Sequence, residues 1–196
     1  LQVSQGLSSG DLSMRLERVS VLLAAGRPAE ALRELRAFEN RQDLIPRDPP
    51  DSHIATAAIE RLTARAFLQM GTAELALNHR PAQSGSVHDG SALFTHAEVS
   101  LALGRETDAQ KTLATITSPP WAACAAARRA GLKGRAREAL SDLEAQGDPE
   151  AACTLRVRSE LARMLGDDIS EISTLRRVLR IAPRVEDRIA LVEAVW

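Results

Sequence analysis

The chain has few aromatic residues, no excess of charge of one sign and no long apolar run. Phe and Trp make up 3% of its 196 residues and Tyr is absent, so Ala and Leu supply most of the apolar mass, which favours closely packed helices. The formal net charge of −1 argues against a nucleic-acid-binding protein that depends on bulk positive charge. No apolar stretch approaches the roughly 18 residues that a membrane-spanning helix needs.

Cysteine is also scarce. Cys124 and Cys153 are the only two, and their separation along the chain matches no metal-binding or redox motif. Two interpretations stay open. Either both are small buried side chains in Ala-rich helices, which is the common situation of free cysteines, or they face each other in consecutive repeats and form a disulfide. A disulfide would indicate an oxidising compartment.

Signatures of catalysis and metal binding are missing. The sequence has no P-loop, no G-x-G-x-x-G, no G-x-S-x-G and no H-E-x-x-H. Of the four histidines, only His88 and His96 with Asp89 suggest a metal cluster, and their separation matches no common ligand spacing. We therefore expect a protein that is not an enzyme and that holds no cofactor and no metal.

A spacing built on glycine recurs five times along the chain. Five positions after each glycine comes a small or packing residue, and nine positions after it usually an aliphatic one. After a longer first interval, the glycines recur about every 33 residues, and a repeat of about this length predicts a stack of helical hairpins. The five triplets are Gly26, Ala31 and Leu35; Gly71, Ala76 and Arg80; Gly104, Ala109 and Leu113; Gly134, Ala139 and Leu143; and Gly166, Glu171 and Leu175.

Capping residues, glycines and prolines divide the chain into helices, and no segment shows the sustained period-two alternation of a strand. Ser118 before two prolines and Asp148 before Pro149 predict helix starts, since proline in a first turn loses no hydrogen bond. Proline-rich and glycine-rich loops are expected at 40–51 and 79–90. The predicted helices cover about 11–25, 52–70, 72–79, 90–103, 106–117, 118–130, 134–146, 149–165, 167–182 and 185–196, with another that starts at Pro28.

The repeat resembles the tetratricopeptide repeat family over residues 12–183. In that family two antiparallel helices form a repeat of about 34 residues, with a small residue at the turn and another, usually Ala, where the helices cross. The segments LLAAGRPAEALRELRAF and AEVSLALGRETDAQKTLATI are close to its consensus, and Pro183 follows Gly166 at the interval of the family pattern. The chain departs from the pattern in lacking the consensus Trp and Tyr, and in having Arg80 and Glu171 at packing positions.

The resemblance implies an all-α fold, a right-handed α-solenoid of antiparallel helical hairpins. Residues 1–11 are predicted to be a flexible entry. Residues 184–196 form a terminal helix that either caps the stack or begins a further repeat. The predicted units are about 12–40, 52–80, 89–117, 118–146 and 148–183.

The resemblance also implies a concave face, lined by the first helix of each hairpin. Five arginines and two glutamates fall on it, and paired donors of the arginine fork suit a carboxylate. One hypothesis is therefore a groove for an acidic or C-terminal peptide, anchored by Phe94 and Trp121. The alternative is that the arginines form ordinary ion pairs, such as Arg156 with Glu160. The predicted face residues are Arg61, Arg65, Gln69, Phe94, Glu98, Trp121, Cys124, Arg128, Cys153, Arg156, Glu160, Arg163 and Met164.

The function implied by the resemblance is a non-catalytic scaffold that binds a protein or peptide, with no nucleic acid, in a bacterial assembly, secretion or envelope complex. The alternative is an accessory or regulatory domain of a larger enzyme or transcription regulator, since the chain starts at Leu1 rather than Met. The compartment stays open between cytoplasm and periplasm, because a signal or anchor could have been removed. Self-association is expected to use the terminal helix 185–196.

Overall fold

The regular secondary structure is entirely helical in the computed structural model, which describes residues 9–39, 51–78 and 90–195. The chain divides into two compact units, residues 1–103 and 104–196. The first unit contains α1 (Ser9–Ala24), α2 (Pro28–Glu39), α3 (Asp51–Gln69), α4 (Ala73–Ala76) and α5 (Gly90–Ala102). The second contains α6 (Glu106–Ala114), α7 (Trp121–Leu132), α8 (Ala136–Gln146), α9 (Ala152–Met164), α10 (Asp168–Ile181) and α11 (Val185–Val195).

The five repeat glycines are the turn residues of the hairpins. Each has a positive φ of 69–77°, and among the described residues they are the glycines with that backbone conformation. At the end of α9, Gly166 N–H donates to the carbonyl of Arg163 at 3.1 Å, and Asp167 N–H donates to the carbonyl of Ala162 at 3.0 Å. This pair of hydrogen bonds closes a helix around a left-handed residue, and it recurs after α1, α3 and α7. The prediction that glycines end these helices is confirmed.

Among the described residues, the positions five and nine after each repeat glycine are buried. The alanines five positions later (Ala31, Ala76, Ala109 and Ala139) are fully buried, and the leucines nine positions later are at most 2% exposed. The small methyl group of the alanine, five positions after the glycine, lets the two helices of a hairpin approach closely. Burial of each leucine stabilises the hairpin by roughly 2 kcal/mol. In the fifth hairpin the position of the alanine is taken by Glu171, which is only 3% exposed.

The described residues of the first unit form two apolar clusters. In the first cluster, α1 and α2 pack against α3, with Val19, Leu35 and Phe38 at most 1% exposed. A second cluster joins α3, α4 and α5 around Ala64, Ala76 and Val99. α3 therefore contributes to both clusters, with different sides of the same helix.

In the second unit, each helix packs on the helix that follows it, and α7 also packs on α9. The helices α7 and α9 approach closely at Gly131, where an added Cβ would lie 2.7 Å from Cδ2 of Leu161. Both helices are the first members of their predicted hairpins. The first helices of consecutive hairpins therefore lie side by side in this unit.

Four predicted helix starts are wrong by two or three positions. α1 begins at Ser9, not at Asp11, and α8 begins at Ala136, not at Gly134. α7 begins at Trp121, not at Ser118, and α9 begins at Ala152, not beside Pro149. Before α9, Asp148 Oδ1 accepts from Glu150 N–H at 3.0 Å, so this aspartate closes a local turn instead of capping a helix. Ala151 then has an extended backbone, with ψ 132°, and the helix starts after it.

The remaining boundaries are close to prediction, with two shorter helices. α4 ends at Ala76 instead of 79, and α6 ends at Ala114 instead of 117. The unit boundary falls between Leu103 and Gly104, within the predicted hairpin 89–117. The predictions for residues 1–8, 40–50 and 79–89, including Arg80 and the histidine cluster at 88–89, lie outside the described residues.

Candidate functional site

In the first unit the predicted face residues lie on α3 and α5, which pack against each other. Arg61 Nη1 donates to Ser91 Oγ at 2.6 Å, a bond between residues 30 positions apart. Phe94 is 4% exposed, so its ring belongs to the core and offers little surface to a partner. The other predicted face residues of this unit, Arg65, Gln69 and Glu98, are half-buried and take part in interactions of their own.

In the second unit an ion pair joins two of the predicted face residues. Arg128 Nη2 on α7 lies 3.0 Å from Glu160 Oε1 on α9, and the two side chains are 13% and 28% exposed. The sequence placed both on the first helices of consecutive hairpins, and the structure brings them into contact. This pair is therefore part of the packing between hairpins.

Arg156 is held by a residue that the sequence did not single out. Its Nε lies 3.1 Å from both carboxylate oxygens of Asp187, and its Nη2 donates to Oδ2 at 3.0 Å and also to the carbonyl of Ala182. Asp187 is on α11 and is buried. Although Glu160 lies one turn from Arg156 on α9, the guanidinium of Arg156 reaches across to the next hairpin.

Arg163 has one donor in use and a large exposed area. Its Nε donates to Glu171 Oε1 at 2.9 Å, and its side chain is 53% exposed while that of Glu171 is 4% exposed. A buried carboxylate is costly without a partner, and this hydrogen bond supplies one. Trp121, at the start of α7, is half-buried. Of the predicted face residues of this unit, Arg163 and Met164 are the most exposed, and Met164 is 52% exposed.

The spacing of these contacts carries a signal that sequence reasoning did not use. The contacts of Arg61 with Ser91 and of Arg156 with Asp187 join residues 30 and 31 positions apart, close to the repeat length. These residues therefore contact residues near, though not always at, the equivalent place in the next hairpin. A search for opposite charges at this separation would have found Asp187 from Arg156.

The two cysteines are free, buried and on adjacent helices. Cys124 Sγ on α7 lies 3.7 Å from Thr154 Oγ1 on α9. A hydrogen bond with Cys153 and burial raise the pKa of the Cys124 thiol, whereas the hydrogen bond with Cys124 lowers the pKa of the Cys153 thiol. One proton shared between two close thiols has this effect, because loss of the first proton makes loss of the second harder.

The terminal helix α11 has three exposed apolar side chains, while its Leu191 is half-buried. Ile189, Val192 and Val195 are 52–58% exposed, while Asp187 is buried against α9. Ile181, at the end of α10, is 49% exposed. The contact expected for self-association is therefore on the surface of this unit.

Within the described ranges, no three His, Cys, Asp or Glu side chains come together in a group that could hold a metal ion. None of the helices described is both long and apolar enough to span a bilayer. No family model, no curated protein and no solved structure matches this chain.

Proposed function

We propose that this chain is a non-catalytic scaffold that binds a protein or peptide on the face formed by the first helices of its hairpins. The hairpins would continue as a right-handed α-solenoid of the tetratricopeptide kind. The observation that carries the proposal is the contact between Arg128 and Glu160 at 3.0 Å. Residues chosen from separate repeats as members of one face are neighbours in space, which is what a repeat scaffold requires.

The internal ion pairs change the proposed chemistry of this face. Arg128 and Arg156 are each 13% exposed and have carboxylate partners within the chain, so they are not available to capture a peptide carboxylate. Arg163 keeps its Nη atoms for a partner, because only its Nε is engaged with Glu171. In the second unit, recognition is therefore proposed to depend on Trp121 for apolar contact and on Arg163 for a carboxylate.

The test is affinity capture from the native host with the intact protein, followed by quantitative mass spectrometry. Trp121→Ala and Arg163→Lys are compared with the wild-type chain. Lysine keeps the positive charge beside Glu171 but lacks the arginine fork. Arg137→Ala serves as the control, because Arg137 is exposed on the second helix α8. Loss of the same partner in both variants, and its retention in the control, is the expected result.

Circular dichroism spectra of the variants must match that of the wild-type chain for the comparison to hold. If folded Trp121→Ala and Arg163→Lys recover the same partners in the same amounts as the wild-type chain, this face is not the binding surface. Loss of the partner in Arg137→Ala alone would place the surface on the second helices instead.

Self-association through α11 is a separate part of the proposal. Its exposed Ile189 and Val192 would be covered in a dimer, since soluble proteins rarely leave such apolar side chains in one patch. Light scattering over a range of concentrations should show a mass that rises for the wild-type chain and stays monomeric for Val192→Glu. A wild-type chain that stays monomeric at the highest concentration would contradict it.

A further inference from the structure

Cys124 and Cys153 form a thiol pair in the contact between α7 and α9. They are at most 5% exposed, and they lie on two helices that pack against each other. They are the only cysteines of the chain. Thr154 Oγ1 lies 3.7 Å from Cys124 Sγ and completes a small polar group in an otherwise apolar contact. Neither the repeat architecture nor the proposed binding face needs two thiols here.

We propose that Cys124 and Cys153 are a site of reversible oxidation, at which a low-molecular-weight disulfide converts the thiol pair to a disulfide bond between α7 and α9. Two geometric observations support the bond. Cys124 Sγ lies 3.7 Å from the side chain of Thr154, the residue next to Cys153, so the two cysteines belong to one buried group. The backbones are also close, because a Cβ added at Gly131 of α7 would lie 2.7 Å from Leu161 of α9.

The reaction is two successive thiol–disulfide exchanges. The Cys153 thiolate attacks one sulfur of the reagent, which forms a mixed disulfide and releases one reagent thiolate. The Cys124 thiol then loses its proton and attacks the Cys153 sulfur, which releases the second reagent thiolate. Two protein thiols lose two electrons, one reagent disulfide gains them, and the two protons end on the two reagent thiols.

Cys153 is the better first nucleophile of the two. It is 5% exposed while Cys124 is fully buried, and it accepts the hydrogen bond that favours its thiolate. Both sulfurs still need a local opening of α7 from α9 before the reagent can enter. Oxidation of the folded chain should therefore be slower than oxidation of the unfolded chain.

The consequence is a covalent link across two hairpins of the second unit. It would close a loop of about 30 residues, which restricts the unfolded chain and favours the folded one. The melting temperature of the oxidised chain should then exceed that of the reduced chain by roughly 5–10 °C.

The first experiment incubates the full chain with reduced and oxidised glutathione at graded ratios and measures the intact mass. The expected product is a monomer that has lost about 2 Da, the mass of two hydrogens, and that regains them with a reductant. Cys124→Ser is the matched control, since it can form only a glutathione adduct or a linked dimer. A wild-type chain that accumulates two glutathione adducts or a linked dimer would overturn the proposal.

The second experiment does not require the oxidant to reach the buried thiols of the folded chain. The chain is unfolded, oxidised to the intramolecular disulfide and refolded, and its circular dichroism spectrum and melting temperature are compared with those of the reduced chain. A native spectrum with the higher melting temperature supports the site, even if the folded chain reacts slowly. A lower melting temperature, or a failure to regain helix, would mean that the native packing opposes the bond and would overturn the proposal.

Discussion

Arg156 and Asp187 form a buried ion pair that joins α9 to α11 across 31 positions of the sequence. Three hydrogen bonds of 3.0–3.1 Å connect the guanidinium to the carboxylate, and a further one connects it to the carbonyl of Ala182. The arginine holds both the terminal helix and the segment that leads into it. The docking of α11 therefore includes a buried polar contact, while its Ile189, Val192 and Val195 are exposed.

Asp187→Ala should release α11 from the rest of the second unit. Removal of one member of a buried pair leaves the other charge buried, which costs roughly 3 kcal/mol, or about a 100-fold loss of amide protection in α11. Hydrogen exchange followed by mass spectrometry measures this. Glu144→Ala is the control, because the pair of Glu144 with Arg158 is 49% and 35% exposed. The control should cost less than about 1 kcal/mol, and equal effects would contradict the prediction.

Glu171→Ala and Arg163→Ala break the same ion pair, but they should change the free energy of unfolding by different amounts or with opposite signs. Alanine occupies the equivalent place in the other four hairpins and is fully buried there, so Glu171→Ala should be neutral within about 1 kcal/mol or stabilising. Arg163→Ala leaves the buried carboxylate of Glu171 without its partner, and it should lower the free energy of unfolding by about 1–3 kcal/mol. Urea unfolding measures both, and a larger cost for Glu171→Ala would contradict the reasoning.

Gly134→Ala should destabilise the fourth hairpin by about 1–2 kcal/mol through its backbone alone. Gly134 has φ +77°, and an added Cβ would meet nothing within 4 Å, so there is no steric clash to add to the cost. Gly134→Asn should lose less stability than Gly134→Ala, because asparagine tolerates the left-handed conformation better than alanine. Thermal unfolding of the two variants tests this order, and a neutral Gly134→Ala would contradict a left-handed turn.

Asp167→Ala should change how the stability of the chain depends on pH. Asp167 caps α10, and hydrogen bonds from the Ser170 hydroxyl and N–H lower the pKa of its carboxyl below the usual 3.8. A group with a lowered folded pKa stabilises the chain above its unfolded pKa and loses that effect as the pH falls through the folded pKa. The variant should therefore melt below the wild-type chain at neutral pH.

The two melting temperatures should converge as the pH falls below 3.8, where the wild-type carboxyl becomes protonated. Asp168→Ala is the matched control, because Asp168 lies one position into the helix and is exposed. A difference between wild-type chain and Asp167→Ala that stays constant down to strongly acidic pH would show that the carboxylate does not act as the cap.

Helix starts show where local signals mislead. Asp148 with Pro149 has the composition of a helix start, yet its carboxylate closes a short local turn and α9 begins at Ala152. At α10 the cap is Asp167 and not the adjacent Asp168, because Asp167 Oδ1 accepts the hydrogen bond from Ser170 N–H. Capping residues serve turns and helices alike, so the surrounding structure decides which of the two forms.

The residues predicted for the concave face show a second reason why the prediction from sequence was only partly right. Its residues were placed by counting back from the glycines, and Arg128 and Glu160 do meet. Phe94 lies in the core instead, and Arg156 reaches Asp187, which no local pattern indicated. Counting along a repeat gives the side of a helix, but the partner of a long side chain depends on what the next hairpin places beside it.

The sequence by itself determined the helical hairpins and their turns, because a left-handed glycine and a small crossing residue are local requirements that must be met at fixed positions. Only the tertiary structure decided the division at Leu103 and Gly104, the partners of the arginines and the contact of Cys124 with Thr154. These depend on contacts between residues about one repeat apart, and the distance between such residues is set by how the hairpins pack and not by the conformation of either one.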